Sequence, residues 1–293
     1  MSVDNKEISL VLGSGGARGL AHIGVIHWLE ENGFRIKSIS GCSMGAVIGG
    51  IYAAGKLPEF EQWVCAIKKI DIISLLDISW RKHGLVKGDK IIDTLITLVG
   101  DEKIENLPIP FTAVAADVTG EKEVWLQSGS LFAAIRASIS LPMFFTPFVI
   151  NGVDLIDGGV LNPVPIAPTF GDQTDMTIAV NLGGPAKKMP VIETVVSEKK
   201  SSVFHEKITR YISKFQSSLT TDTILDLSAY EVANQAFDAM QGTIARQKLA
   251  AYPPDFIVEI PRNACGTFEF DRASEMIELG YNSAQESLAK LIK

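Results

Sequence analysis

Short apolar runs alternate with helix-period segments in the N-terminal part of the chain. Residues Glu7–Leu12 predict a buried strand, and Leu20–Glu31 predicts a helix whose apolar positions recur every three or four residues. A second strand over Ile36–Ser40 is followed by a helix of small residues that ends at Gly55. Because a glycine-rich turn joins each strand to its helix, we expect a parallel sheet that is covered by helices on both faces.

Further short strands and helices are predicted along the rest of the chain. They are a helical stretch over Leu57–Val99 interrupted at Gly84–Gly88, a hairpin of Phe111–Asp117 and Glu123–Gln127, a short helix over Gly129–Ser138, strands over Val153–Ile156, Met176–Asn181 and Phe256–Ile260, long helices over Glu198–Leu219 and Thr223–Lys248, and a closing helix over Asp271–Lys290. We therefore predict a three-layer α/β/α sandwich with a mostly parallel central sheet. Residues 1–185 would form its core, and residues 186–293 would add a helical cap or lid and a closing strand and helix to the same domain.

Composition places the chain among globular proteins and excludes one class of partner. Apolar residues make up 46% and charged residues 21% of the 293 positions, which excludes disorder for most of the chain. The formal net charge is −7, because 34 acidic residues outnumber 27 basic ones. A nucleic-acid-binding protein needs a basic face that displaces phosphate counterions, so we expect no nucleic-acid partner.

Cysteine usage and the uncharged segment near the first motifs bear on the expected cellular compartment. Cys42, Cys65 and Cys265 form no CxxC pair, so we expect neither a disulfide scaffold nor a cysteine-rich zinc site. No basic and apolar secretory signal follows Met1, and the uncharged run Met44–Gly55 is too short to span a bilayer. We therefore expect a soluble, cytoplasmic protein.

A serine stands at the turn between the second strand and its helix. The segment Gly41-x-Ser43-x-Gly45 fits the G-x-S-x-G pattern, in which a nucleophilic serine is held out of the sheet on a tight turn. Flanking glycines suit such a turn because a Cβ would clash with the strained backbone. The alternative is a glycine-rich helix start that packs closely on the sheet, with Ser43 as a helix cap.

The glycine-rich loop Gly13–Gly19 allows several interpretations. A dinucleotide-binding fingerprint would need glycine at position 18, where the chain has Arg18, and the G-K-[ST] of a phosphate-binding loop is absent. The remaining functional interpretation is an oxyanion hole formed by the backbone N–H groups of Gly15 and Gly16, with Arg18 adding positive potential or anchoring the loop. The other interpretation is a plain turn between strand and helix.

No histidine is well placed to activate the serine. His22 and His27 precede Ser43 on the first helix, and His83 lies in a polar break. His205 falls in a lysine-rich amphipathic segment, not in a loop after a strand. The sequence Asp157-Gly158-Gly159 offers another base, because it ends a predicted strand.

The Asp157 carboxylate could reach a serine directly, since two following glycines allow close approach of backbone. An ordinary Asp-Gly turn is the alternative for this segment.

Three motifs occur in a characteristic order: Ser14-Gly-Gly-Ala-Arg-Gly19, the Ser43 turn and the Asp157 turn. Together they resemble the patatin-like phospholipase family, especially its bacterial members related to neuropathy target esterase. The likeness is strong from Ile8 to Pro168 and weak afterwards. One departure is Ser14, which replaces the first glycine of the family's G-G-G run.

The resemblance implies a mechanism and the residues that carry it. Ser43 would be the nucleophile, Asp157 its base, and the N–H groups of Gly15 and Gly16 the oxyanion hole. The implied reaction is hydrolysis of an acyl-lipid ester through an acyl-enzyme, with no metal and no cofactor.

Basic charge is concentrated in the C-terminal half, where residues 187–214 contain seven Lys/Arg against three Glu. Apolar residues, among them Phe204 and Phe215, recur there at helical spacing with basic residues between them. This pattern is typical of an interfacial amphipathic helix or of a lid over an acyl pocket. It equally fits a helix that packs on the core with a solvated basic face, so peripheral membrane contact through residues 198–219 is one of three expectations.

Other functions remain compatible with these motifs. One is a catalytically silent lipid- or partner-binding module on the same fold, against which the intact Ser43 and Asp157 argue. Another is an esterase that uses a triad assisted by His205. Nucleotide binding ranks behind both.

Overall fold

The computed structural model describes residues 6–75, 86–187 and 221–292. The chain divides into two compact units, of which the larger comprises Met1–Lys187 and Met240–Lys293. The smaller unit is Lys188–Ala239, and its described part is the helical stretch 221–239.

Eight strands form one sheet within the described residues. They are β1 (Lys6–Leu12), β2 (Phe34–Cys42), β3 (Phe111–Asp117), β4 (Lys122–Leu126), β5 (Phe148–Ile150), β6 (Val153–Asp157), β7 (Met176–Gly184) and β8 (Phe256–Pro261). The strand order is β5-β6-β3-β2-β1-β7-β8, with β4 paired to β3. The pairs β3–β2, β2–β1, β1–β7 and β7–β8 are parallel, whereas β3–β4, β3–β6 and β5–β6 are antiparallel.

Helices surround this sheet. Their bounds are α1 (Ala21–Glu31), α2 (Met44–Ala53), α3 (Leu57–Ala66), α4 (Lys69–Leu75), α5 (Asp89–Val99), α6 (Leu131–Ser138), α7 (Thr221–Ala251) and α8 (Ala273–Leu288). A 3-10 turn over Gly16–Leu20 leads into α1, and another over Gly158–Val160 follows β6. None of the helices in the described ranges is both long enough and apolar enough to cross a bilayer.

The central strand β1 is buried on both faces. Leu10 and Leu12 belong to the main core, which also contains the buried residues of α1 and α2. Val11 points to the opposite face, where it packs with residues that include Ala179 of β7 and Ala245 of α7. Burial of both faces explains why β1 is a continuous apolar run, as expected for a parallel strand between two layers of helices.

The register of β3 brings two strand ends together. On one edge of β3, Cys42 of β2 pairs with Val114, and Asp157 of β6 pairs with the next residue, Ala115. Strand β2 runs parallel to β3 and β6 runs antiparallel to it, while β4 occupies the other edge. The C-terminal ends of β2 and β6 therefore meet head to head, so the residues at these ends are neighbours.

The predicted α/β/α class is confirmed, and the fold adds details that periodicity did not predict. Strand β5 was not predicted, because its three residues are too short to show alternation. The helix predicted over Thr223–Lys248 extends over Thr221–Ala251. The helix predicted over Glu198–Leu219 lies outside the described residues, and the division at residue 185 stays a prediction.

Candidate active site

Ser43 occupies a sharp turn between β2 and α2. Its backbone dihedrals are φ 55° and ψ −123°, a conformation that non-glycine residues rarely adopt. Glycine is required on both sides of this turn. A Cβ at position 41 would lie 2.4 Å from the carbonyl oxygen of Gly45, and a Cβ at position 45 would lie 2.0 Å from that of Leu12. The alternative of Ser43 as a helix cap is not supported, since its side chain makes no capping hydrogen bond.

The end of α6 holds the strained turn in place. The N–H of Ser43 donates to Oγ of Ser138 over 2.9 Å, and the Ser138 hydroxyl donates to the carbonyl oxygen of Val114 over 2.6 Å. Ser138 is fully buried and thus fixed between the turn and β3. Sequence reasoning did not assign this role to Ser138. The signal that could have found it is the group of small residues around it, which includes Ala137 and Ser140.

The side chains of Ser43 and Asp157 are in direct contact. The hydroxyl of Ser43 donates to Oδ2 of Asp157 over 2.6 Å. The second carboxylate oxygen, Oδ1, accepts from the N–H of Gly159 over 2.7 Å, and the thiol of Cys42 lies 3.9 Å from it. The N–H of Asp157 donates to the carbonyl oxygen of Ser140 over 2.9 Å, which fixes the strand end. Ser43 is 8% exposed and Asp157 1%, so the pair is almost closed to solvent.

Burial sets the proton affinity of Asp157. Removal of the carboxylate from water raises its pKa to about 6, although hydrogen bonds from Ser43, Gly159 and Cys42 act in the opposite direction. Burial likewise raises the pKa of the Cys42 thiol, and the negative charge of Asp157 adds to the effect. At neutral pH the site therefore combines the ionised carboxylate of Asp157 with the neutral thiol of Cys42 and the hydroxyl of Ser43.

The glycines after Asp157 allow the tight turn. A Cβ at position 158 would lie 2.2 Å from the carbonyl oxygen of Val114. Because that atom belongs to the backbone of β3, no side chain can be accommodated there. A Cβ at position 159 would lie 2.7 Å from Oγ of Ser14 and 3.0 Å from Oδ1 of Asp157. The glycine-rich loop after β1 is thus a direct neighbour of the Asp157 turn.

The glycine-rich loop presents two N–H groups that have no acceptor among the described residues, those of Gly15 and Gly16. The flanking N–H groups are used, because Ser14 donates to the carbonyl of Pro163 over 2.8 Å and Ala17 to that of Thr267 over 2.9 Å. Gly16 has φ +56°, and a Cβ there would lie 2.6 Å from the Thr267 carbonyl oxygen. Two adjacent free donors are what an oxyanion requires.

Arg18 links the glycine-rich loop to another segment of the chain. Its guanidinium donates to the carbonyl oxygen of Arg262, in the segment after β8, over 2.6 Å. This contact ties the glycine-rich loop to that segment, and the contribution of Arg18 to the oxyanion hole stays a prediction.

The histidines of α1 do not contact the serine. His22 is fully buried, and its Nε2 lies 2.9 Å from the carbonyl oxygen of Gly13. Burial lowers the pKa of His22 to about 4, so the ring is neutral at pH 7 and supports the loop backbone as a donor. His27 pairs with Glu61 at 3.1 Å. His83 and His205 lie outside the described residues.

Comparison with known proteins identifies the family. The model of the patatin-like phospholipase family matches residues 10–170, which is more than half of the chain. An uncharacterized NTE family protein of Mycobacterium bovis is 38% identical over 97% of this chain and 92% of its own length. The lysophospholipase nte1 of Emericella nidulans is 26% identical over 98% of this chain, which corresponds to 18% of that protein.

Among solved structures, VipD from Legionella pneumophila aligns with a TM-score of 0.45 and 14% identity, over 97% of this chain and 67% of VipD. The family match and the mycobacterial relative confirm the resemblance drawn from the three motifs. The chain therefore belongs to the patatin-like phospholipase family and is a lipid ester hydrolase.

Proposed function

We propose that this protein is a serine lipid acyl hydrolase in which Ser43 and Asp157 act as a catalytic dyad. The observation that carries the proposal is the 2.6 Å hydrogen bond from the Ser43 hydroxyl to Oδ2 of Asp157. A serine hydroxyl needs a base within hydrogen-bond reach to become a nucleophile. Within the described residues, the carboxylate of Asp157 is the base that lies within hydrogen-bond reach of the Ser43 hydroxyl.

In the first half-reaction, Oγ of Ser43 attacks the carbonyl carbon of the lipid ester while its proton moves to Oδ2 of Asp157. The carbonyl oxygen becomes an oxyanion, which the N–H groups of Gly15 and Gly16 bind. When the tetrahedral intermediate collapses, the bond to the alcohol oxygen breaks and Asp157 returns the proton to that oxygen. The alcohol leaves, and the acyl group stays on Ser43.

In the second half-reaction, water attacks the acyl-enzyme and Asp157 accepts its proton. The bond between Oγ and the acyl carbon then breaks, Asp157 returns the proton to Oγ, and the free carboxylic acid leaves. A base whose pKa is about 6 suits this role, because it is ionised at neutral pH and still accepts a proton readily. The proposed chemistry uses neither a metal nor a cofactor.

An acyl lipid is the substrate class that we propose. Fungal relatives are named lysophospholipases, although this chain spans under a fifth of their length. Two aromatic side chains on neighbouring loops support the proposal of an acyl lipid. The rings of Phe144 and Phe268 lie 4.3 Å apart, and Phe268 follows Thr267, which accepts from the glycine-rich loop. These rings offer an apolar surface for an acyl chain.

We also propose that residues 198–219 bring the protein to lipid surfaces. The support is the sequence pattern of apolar positions with lysine and arginine between them, which is typical of interfacial helices. The cap or lid role of residues 186–293 rests on the same pattern.

Hydrolysis of p-nitrophenyl esters of increasing acyl length tests the dyad. We expect Ser43→Ala and Asp157→Asn each to lower kcat by at least about 10³-fold, since removal of a nucleophile or its base has effects of this size. Asp154→Asn is the matched control, because Asp154 lies exposed on the same strand. We expect it to retain activity.

His205→Ala distinguishes the dyad from a triad. The dyad predicts turnover close to that of the unchanged protein, whereas a His205-assisted triad predicts near-total loss. Full activity in a folded Ser43→Ala variant would show that the proposal is wrong.

A further inference from the structure

A polar pair lies directly beside the dyad and has no part in the mechanism above. A Cβ built on Gly159 would be 2.2 Å from Nε2 of Gln241, 2.7 Å from Oγ of Ser14 and 3.0 Å from Oδ1 of Asp157. Three polar groups therefore surround one point next to the base. Gln241 is supplied by α7 and Ser14 by the glycine-rich loop, so elements distant in sequence converge here.

A single hydrogen bond joins these two residues, and it leaves further donors and acceptors of both side chains unused. Nε2 of Gln241 donates to Oγ of Ser14 over 3.3 Å. Over the described ranges, nothing accepts the hydroxyl proton of Ser14 and nothing donates to Oε1 of Gln241. Both residues are half-buried, so a bound molecule can reach them. The pair thus offers an O–H donor and an amide oxygen acceptor to a substrate.

The chemistry of the pair suits a neutral hydroxyl. Neither side chain carries a charge, and two cations of neighbouring described segments have partners of their own. Lys248, two turns along α7, binds Glu123 at 2.5 Å, and Arg18 donates to the Arg262 carbonyl. An alcohol can accept from Ser14 and donate to Gln241 at the same time, whereas a phosphate oxygen has no proton for the amide oxygen.

The position of Ser14 indicates which part of the substrate is bound. Ser14 immediately precedes Gly15, whose N–H is proposed to bind the ester oxyanion. A group at Ser14 is therefore close to the reacting carbonyl carbon. On the acyl side of a lipid ester the neighbouring atoms are methylene groups, which gain nothing from a polar pair. On the alcohol side, the glycerol carbons next to the ester oxygen carry further oxygen atoms.

We propose that Ser14 and Gln241 form a specificity subsite for a free hydroxyl on the alcohol part of the ester, as in a monoacyl glycerolipid. This inference rests on the proposed function, because it uses the location of the oxyanion donors. It assigns Ser14, the departure from the family's glycine, to substrate discrimination.

Two esters of the same acid test the subsite: glyceryl mono-octanoate, which has free hydroxyls, and propyl octanoate, which has none. The measured quantity is the ratio of kcat/KM for the two esters. We expect the unchanged protein to prefer the glyceryl ester, and Gln241→Leu and Ser14→Ala to lower the ratio by about tenfold, since a hydrogen bond to the substrate is lost. Gln247→Leu is the matched control, because Gln247 is exposed on the same helix and should leave the ratio unchanged.

The outcomes separate this inference from the proposed function. If the protein hydrolyses both esters through Ser43 without preference, or if both variants keep the ratio, the subsite is wrong and the dyad stands. If the protein hydrolyses neither ester, both proposals fail. Melting temperatures identify a variant that does not fold. If one of the variants Gln241→Leu and Ser14→Ala does not fold, the other still tests the subsite.

Discussion

At the scale of single residues, the burial of Asp157 has opposite consequences for stability and for chemistry. The carboxyl is 1% exposed, and its folded-state pKa is about 6 against an ordinary value of 3.8. Because folding raises the pKa of the Asp157 carboxyl, this group stabilises the fold fully below about pH 3.8. The contribution is lost as the pH rises through about 6. The loss amounts to about 3 kcal/mol, because each pKa unit corresponds to 1.36 kcal/mol.

Because ionisation of the buried Asp157 carboxyl lowers the free energy of unfolding, we expect Asp157→Asn to stabilise the protein at neutral pH. The amide carries no charge, and it can still accept from the N–H of Gly159. We expect the melting temperature of the variant to exceed that of the unchanged protein at pH 7.5, with a gap that narrows toward pH 4. Thermal unfolding at several pH values measures the gap, and a gap that is independent of pH would contradict the assigned pKa.

The same pKa governs activity. Only the ionised carboxylate can accept the Ser43 proton, so we expect kcat/KM for a p-nitrophenyl ester to rise with pH to a plateau, with a midpoint near 6. Asp154→Asn should leave the midpoint unchanged, since that carboxylate is exposed and on the same strand. A profile that is flat between pH 5 and 8 would exclude Asp157 as the base.

At the scale of elements, two glycines allow α1 and α8 to pack closely. A Cβ at Gly24 would lie 1.9 Å from the carbonyl oxygen of Ile277, and a Cβ at Gly280 would lie 1.9 Å from that of Ala21. The glycines stand on opposite helices and meet the backbone of the partner. The C-terminal helix is thereby joined to the helix that follows the glycine-rich loop.

Gly24→Ala and Gly280→Ala should therefore destabilise the fold. A methyl group at either position forces the two backbones apart, and we expect a loss of about 3 kcal/mol in the free energy of unfolding. Gly242→Ala is the control, because the nearest atom to its Cβ is the end of the Arg246 side chain at 3.6 Å. Denaturant unfolding measures all three, and equal stability of the three variants would refute the packing argument.

The sequence predicted elements better than it predicted their contacts. The periodicity of Leu20–Glu31 predicted α1, but its close packing depends on Gly280, which lies far along the chain. Similarly, the sequence predicted a strand over Val153–Ile156 that ends in the Asp157 turn. Its meeting with Ser43 depends on the register of β6 on β3, which no local pattern encodes. The motifs supplied the candidate residues, and the sheet topology supplied their distances.

At the scale of the whole molecule, the uneven charge is the basis of the proposed contact with lipid surfaces. The net charge is −7, yet residues 187–214 carry seven Lys/Arg against three Glu. A local basic and apolar segment can bind an anionic surface that the rest of the protein does not attract.

The double change Phe204→Asp with Phe215→Asp should weaken binding to anionic liposomes and lower activity on aggregated lipid. Hydrolysis of a short p-nitrophenyl ester should persist, because that substrate is soluble. Phe170→Asp is the control, since Phe170 is an exposed aromatic residue outside the segment. Sedimentation with liposomes and parallel activity assays measure these effects. Equal loss on both substrates would instead indicate that the segment packs on the core.

The central claim is that Asp157 activates Ser43 for covalent catalysis, and its most direct test is labelling with a fluorophosphonate ester followed by mass spectrometry. In the unchanged protein we predict one adduct, on the peptide that contains Ser43. We predict no adduct in Ser43→Ala, and in Asp157→Asn we predict a labelling rate that is at least about 10³-fold lower. An adduct on another residue, or labelling of Asp157→Asn at the original rate, would contradict the account.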